Sequence, residues 1–265
     1  MNRRSLLKSI SQGVAETGRA TRKTIDIPPY LGFIDLECDV PWMSLAMPVE
    51  SVDSVGLKRA HAALELLRSE FSRFSRELRF ELFDRHLAGY ASVLETAGFC
   101  FDGSDPLLAM AESDAVGRSS ASLLNKDATI ETLPAETTPC CEYVVAARRA
   151  FGTGAGGVSI ESEAAALRRD LKKGRIRCAF VRCRGEVVTT ATLVGIGHSV
   201  ELAGVGTIPS ARGQGYASCV SDALIRSHFE RGNLVWLSAG SDRAEEIYRR
   251  LGFKRIGSNQ LNYHV

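Results

Sequence analysis

The chain has 265 residues, 45% hydrophobic and 24% charged, a composition that excludes a disordered or membrane protein and suffices for one large core or two small ones. Lys and Arg number 33 against 31 Asp and Glu, and the resulting charge of +2 is too balanced to point to a nucleic-acid partner. No run reaches the roughly 18 apolar residues of a membrane span, so no membrane partner is expected either.

Residues 1–23 form a basic extension in which Arg3, Arg4, Lys8, Arg19, Arg22 and Lys23 face only Glu16, and they read as a solvated, frayed terminus. The Arg3-Arg4 pair has the look of an export signal, but Ser9 to Thr17 carries Ser, Gln and Glu where an apolar stretch is needed. The seven cysteines are an odd number without paired C-x-x-C motifs or a histidine cluster. That pattern argues against a structural metal and for a reducing, cytoplasmic setting.

From residue 24 the pattern alternates. A helix is expected over 55–74 on the stripe Val55, Leu64, Leu67, Phe71 and Phe74, then a strand over 78–83 and a helix over 84–97 ending at Gly98. Short strands at 99–101 and 106–110 flank a turn at Asp102-Gly-Ser-Asp105. Residues 111–139 read as a connection with a short strand near 128–133, and helices follow over 143–150 and 162–172. The intervening Phe151-Gly-Thr-Gly-Ala-Gly-Gly157 lacks the Lys-Ser/Thr of a nucleotide loop and reads as a turn, with a substrate-covering loop as the second choice.

Residues 174–182 and 186–195 make a hairpin about Arg184-Gly185, and a strand follows over 200–208. The tail gives a helix over 217–230, a strand over 234–238, a helix over 242–251, and strands over 253–256 and 260–265. This tail repeats the order of the first half if Pro48 and Pro209 each end a strand, which suggests an internal repeat.

The segment Val205 to Ala217 concentrates the chemistry. A strand there meets Arg212, Gly213 and Gly215 where a helix begins, and a helix start offers unpaired N–H groups and a partial positive charge. Glycines let a diphosphate approach those amides, so a phosphate-bearing ligand is expected.

Arg212-Gly-Gln-Gly-Tyr-Ala217 resembles the acyl-CoA-binding motif of the GCN5-related N-acetyltransferase (GNAT) family, Arg/Gln-x-x-Gly-x-Gly/Ala, at Arg212, Gly215 and Ala217. Ser241-Asp-Arg-Ala244 and Tyr248-Arg-Arg-Leu-Gly-Phe253 are similar to the family's later signature, with Ser241 in place of the usual Asn. The resemblance covers about 129–265. It implies an α/β (α+β mixed) fold, with a mostly antiparallel twisted sheet flanked by helices. It also implies acetyl-CoA as donor, no metal, and a small-molecule or peptide amine as acceptor.

Under it, Val205, Gly206, Thr207 and Ile208 pair with the pantetheine arm, and Arg212, Gly213, Gln214, Gly215, Tyr216 and Ala217 hold the pyrophosphate. Ser241 and Ala244 border the cofactor, Tyr248 is the proton source for the leaving thiolate, and Glu201, or His198 beside it, stands where a base is found. Arg243, Glu245 and Glu246 read as the solvated face of the same helix. Tyr143, Arg148, Arg149 and Tyr263 are candidate acceptor contacts.

Leu94-Glu-Thr-Ala-Gly-Phe99 occupies the register of Tyr248 to Phe253 without the tyrosine. The expected organisation is therefore 1–23 as extension, 24–127 as a degenerate GNAT-like module and 128–265 as the catalytic one. The open alternatives are a non-catalytic acyl-CoA-binding or regulatory protein, an interaction scaffold, and a transferase of longer acyl groups. A homo-oligomer is left open.

Overall fold

A computed structural model describes residues 2–37, 40, 43–84, 87, 89–115, 124–152 and 158–265. The chain groups into two units, one of Met1–Leu107, Ser238–Ser241 and Arg255–Val265, the other of Leu108–Leu237 and Asp242–Lys254. The final strand is thus grouped with the N-terminal part of the chain, not with the helix that precedes it.

The first unit opens with helix α1, Arg3–Thr21, and here the expectation of a frayed terminus is corrected. The Asn2 side chain caps the helix by accepting the Ser5 N–H at 2.9 Å. Leu7, Ile10 and Ala15 are buried, and Gly18 lies against the Phe33 ring, which a Cβ there would meet at 2.5 Å. Of the basic residues that suggested a solvated tail, Arg3, Arg4, Lys8 and Arg19 are exposed on this amphipathic helix, while Arg22 is its C-cap and Lys23 opens the strand that follows.

Strands β1 (Lys23–Ile27), β2 (Tyr30–Ile34) and β3 (Leu45–Pro48) follow, then α2 (Val52–Val55), α3 (Leu57–Arg73), β4 (Arg79–Phe83), α4 (Tyr90–Thr96) and β5 (Cys100–Ala111). Their order is β1-β2-β3-β4-β11-β5, where β11 is Lys254–His264 at the end of the chain. The unit's core is aromatic. Tyr30 meets Phe80 and Tyr90 edge-on at 5.5 and 5.4 Å, and Leu64, Leu67 and Phe71 of α3 pack into the same cluster.

One expected turn and one expected break between strands are absent: Cys100–Ala111 form the single strand β5, and Lys254–His264 the single strand β11. β5 and β11 are neighbours, and Asn259 donates to Ser104 Oγ at 2.8 Å, so sheet pairing overrides the turn preference of Asp102-Gly-Ser-Asp105. The helix expected over 84–97 is confined to α4, and the one over 55–74 is broken at Gly56.

The second unit contains β6 (Ala128–Thr132), α5 (Thr137–Phe151), α6 (Ile160–Lys172), β7 (Ile176–Cys183), β8 (Glu186–Val194), β9 (Ser199–Thr207), α7 (Tyr216–Phe229), β10 (Leu234–Ser238) and α8 (Asp242–Leu251). Within this unit the order is β10-β9-β8-β7-β6, antiparallel from β6 to β9 and parallel between β9 and β10. The β7–β8 hairpin turns on Arg184 and Gly185, both at positive φ (50° and 84°), as a two-residue loop between right-twisted strands requires. Val187 to Ala191 of β8 are all buried, so this central strand is covered on both faces, with α5 and α7 packed on it.

If α1 belongs to the first unit's core, Ile10→Ala lowers stability by about 2–5 kcal/mol through the cavity it leaves. The urea midpoint of this variant, read at unchanged m-value, reports the loss; a frayed terminus would leave it unmoved.

Candidate functional site

Strands β9 and β10 pair at only three positions, Ser199↔Leu234, Val200↔Val235 and Glu201↔Trp236. Beyond Glu201 they separate, and residues 202–207 of β9 keep β8 as their paired neighbour but have no register with β10. A strand whose neighbour leaves it presents main-chain donors and acceptors along one side, which an extended ligand can use as it would a sheet partner.

The β8–β9 register identifies those groups. Ile208 donates its N–H to Val188 O at 3.0 Å, so by the two-residue repeat Gly206 faces β8 as well, while Val205 and Thr207 face the other way. Thr190 pairs with Gly206 and Thr192 with Ala203, which leaves Gly204 and Val205 opposite Ala191 alone. This is a β-bulge, and Gly204 takes φ +59°, a conformation that suits glycine. The Gly204 carbonyl accepts from Thr190 Oγ1 at 3.2 Å.

β9 leads through Pro209–Ala211, a 3-10 turn, into α7. Its N-cap is Gly215, at φ 77°, with no side-chain cap and no acidic residue in the first turn. Gly213, Gln214 and Gly215 are exposed. Among the described residues, no backbone carbonyl outside α7 receives the amides of Gly213 to Ala217. An uncapped helix start at the mouth of a parted strand pair is a competent seat for a diphosphate.

Arg212 has a second task. Its Nε donates to Thr207 O at 3.2 Å and an Nη to Ala150 O at 2.9 Å, so the guanidinium ties the end of β9 to the last turn of α5. Gly206 completes this junction, because a Cβ there would come within 2.8 Å of Ala150 Cβ and 2.9 Å of the Phe151 ring. Tyr216 is buried at the first turn of α7, where its hydroxyl accepts from the Asn125 amide and donates to Cys183 Sγ at 3.6 Å.

Tyr248, on α8, is 9% exposed and packs edge-on against Phe253 at 5.8 Å. Burial pushes its phenol up to about 12, so at neutral pH it holds its proton. Ala244 lies one turn earlier on the same helix, half-buried, and Ser241 is exposed just before it. Arg243 and Glu246 are exposed as expected, but Glu245 is buried, which corrects the solvated face expected of it: its position is three residues from Tyr248 and therefore on the same side of α8.

Glu201 sits where the β9–β10 pairing ends. His198 lies three residues before it, and its carbonyl receives the His228 ring N–H at 3.1 Å. The candidate acceptor contacts have structural partners: Tyr143 is buried and bonded to Thr192 Oγ1 at 2.8 Å, Arg148 pairs with Glu163 at 3.1 Å, Arg149 pairs with Glu186, and Tyr263 donates to Glu95 at 3.1 Å. Residues 153–157 of the glycine-rich loop lie outside the described residues. The sequence reading missed the threonines of β8. Thr189, Thr190 and Thr192 in a strand otherwise mostly apolar were the available signal.

Among the described residues, no group of three or more His, Cys, Asp or Glu side chains is gathered to hold a metal ion, and no helix is long and apolar enough to cross a membrane. Cys178 is buried, with its thiol pushed up to about 12 by desolvation, and is a core side chain.

Solved structures resemble the chain over nearly its whole length. A GCN5-related N-acetyltransferase from Kribbella flavida matches with a TM-score of 0.74 and 25% identity over 100% of this chain and 96% of its own. The chain has the acetyltransferase fold of the GNAT superfamily. With it goes acyl transfer from an acyl-CoA as the general class of activity.

A GCN5-related N-acetyltransferase from Sphaerobacter thermophilus shares the fold at a TM-score of 0.61 and 14% identity, over 89% of this chain and 76% of its own. A tandem GNAT protein from the clavulanic acid biosynthesis pathway does so at 0.58 and 12%, over 89% and 78%. The family model described as FR47-like protein matches residues 183–262. No curated protein matches. The GNAT likeness extends over the chain as one mixed α/β fold and does not single out the second module that the sequence suggested.

The far end of the GNAT helix α7 rests on a titratable group. His228 is buried, accepts an Arg177 N–H at 2.8 Å on Nδ1 and donates from Nε2, so a protonated ring would direct a second donor at a guanidinium. Burial, and then Arg177, hold its pKa below the usual value. The unfolded chain therefore binds the extra proton first, and stability is lost as pH falls below about 6.5. Urea midpoints at about pH 7.5 and about pH 5.5 should show a drop that is smaller in His228→Gln.

Proposed function

We propose that the protein is an N-acyltransferase that moves an acetyl group from acetyl-CoA to a primary amine of a small molecule or peptide by direct transfer. The observation that carries this reading is the parting of β9 and β10 beyond Glu201, on the strand that runs into the uncapped start of α7. A diphosphate at the amides of Gly213 to Ala217 leaves the pantetheine arm to extend back along β9, where Val205 and Thr207 offer main-chain groups. Arg212 serves the same loop by fixing its entry, and Gln214, Tyr216, Ser241 and Ala244 border the donor.

In the reaction the neutral amine attacks the thioester carbon, and the Val205 N–H steadies the oxyanion that forms. Collapse breaks the C–S bond and expels the thiolate, which takes the Tyr248 phenolic proton, while the proton shed by the amine passes to Glu201 directly or through water. One amine and one thioester thus become one amide and one thiol. We also propose 24–127 as a degenerate module beside a catalytic 128–265. This is supported by the shared order α3-β4-α4-β5 and α7-β10-α8-β11 and by the description of one similar protein as a tandem GNAT.

Calorimetric titration with acetyl-CoA should give saturable heat; no heat with acetyl-CoA, longer acyl-CoAs or free CoA would remove the donor site. Release of free thiol from acetyl-CoA across a panel of amines then identifies the acceptor. Tyr248→Phe should lower kcat on the order of 100-fold with acetyl-CoA affinity nearly unchanged, and an unaltered kcat would take the acid role from Tyr248.

Arg212→Lys tests the junction separately. It keeps the charge but loses the two-acceptor fork, and should weaken acetyl-CoA binding almost as much as Arg212→Ala.

A further inference from the structure

We infer that Thr190 is a positioning residue for acyl transfer: its hydroxyl fixes the peptide between Gly204 and Val205 so that the Val205 N–H faces the gap beside β10. The inference rests on the proposed seating of the thioester in that gap.

At the bulge, the two residues Gly204 and Val205 stand opposite Ala191, so the regular ladder does not provide for both of their peptide groups. Gly204 is exposed, so without a partner in the protein its carbonyl would turn to water and the peptide would be free to rotate. Thr190 prevents this. It is fully buried on β8, and its Oγ1 donates to Gly204 O at 3.2 Å, which draws that carbonyl toward β8. A trans peptide points its N–H opposite to its C=O, so the Val205 N–H is turned away from β8 to the side that β10 has left.

The neighbouring threonines keep this register. Thr189 Oγ1 donates to Thr207 Oγ1 at 3.1 Å, and Thr192 Oγ1 shares a 2.8 Å hydrogen bond with the buried Tyr143 hydroxyl of α5. The bulge is therefore gripped at Gly204 and at Thr207, on either side of the pair Val205 and Gly206. Valine at 190 would fill the same volume and suit a strand better, so the hydroxyl is what distinguishes the position.

Thr190→Val and Thr190→Ser test this. Thr190→Val should lower kcat at least about 10-fold while the affinity for free CoA, which lacks the thioester carbonyl, stays within about two-fold. Thr190→Ser restores the hydroxyl and should recover kcat to within about three-fold of wild type. A purely structural role would lower stability and CoA affinity together, without rescue by Ser, and would overturn the assignment.

A crystal structure of Thr190→Val tests the same point independently of turnover. A rotated 204–205 peptide supports the positioning role and an unrotated one overturns it. If the wild type itself turns over no amine, the transferase reading fails, while the peptide's orientation still decides what Thr190 does.

Discussion

The arrangement depends on one constraint, the hydrogen-bonding capacity of β9. A strand inside a sheet must satisfy N–H and C=O groups on both edges, and β9 has parallel pairing with β10 for three residues only. Past that point one edge of the strand must be served by something other than a neighbouring strand. The bulge at Gly204 sharpens the demand by displacing a peptide from the β8 ladder as well, and the threonines of β8 meet it from within the core. The result is a strand held firmly on one edge and available on the other, which is how a protein can bind an extended, amide-bearing ligand without moving its own backbone.

The anionic end of such a ligand raises a different problem. Diphosphate needs donors that no side chain already occupies, and α7 begins on a left-handed glycine with no capping oxygen and no first-turn carboxylate. By contrast, α6 begins with Ser159 accepting the Ser162 N–H at 3.1 Å and with Glu161 and Glu163 in its first turn. These two helix starts thus carry opposite chemistry, and of the two α7 is the one suited to an anion. Arg212 would be read from sequence as a charge aimed at phosphate. Its bonds to Thr207 O and Ala150 O make it first a brace that joins β9, the loop and α5, so its positive charge reaches the site from a fixed place.

Much of this was legible in the sequence because it follows short-range rules. The hairpin at Arg184-Gly185, the helix of residues 242–251 and the strand of residues 234–238 fall where period and turn chemistry put them. Elements set by distant partners were not legible. β5 and β11 run through turn-forming residues because each has the other as a neighbour, and α1 was obscured because its basic residues stand out more than its buried stripe. The glycine motif was readable as a phosphate seat, but the bulge was not, since a register shift depends on how two strands align and leaves no trace in the composition of either. Glu245 shows the same limit: a carboxylate on a helix reads as solvated until its neighbours are known.

Burial of Tyr248 could be taken as an argument against a role in proton transfer, because a phenol pushed up to about 12 gives its proton reluctantly. The comparison that matters is with the acceptor of that proton. A thiolate expelled into the same apolar surroundings is desolvated too, and its basicity rises for the same reason as that of the phenolate, so the difference between them is less than either value measured against water suggests. Burial also keeps the phenol protonated throughout the physiological range, so the donor is present whenever the amine is neutral enough to attack. An exposed tyrosine would be a slightly stronger acid, but it would leave the thiolate in water, where solvent competes to protonate it and the hydroxyl has no fixed direction. In the proposed step, the low-dielectric position would trade acid strength for exclusion of competing solvent, and over a short proton transfer that exclusion matters more.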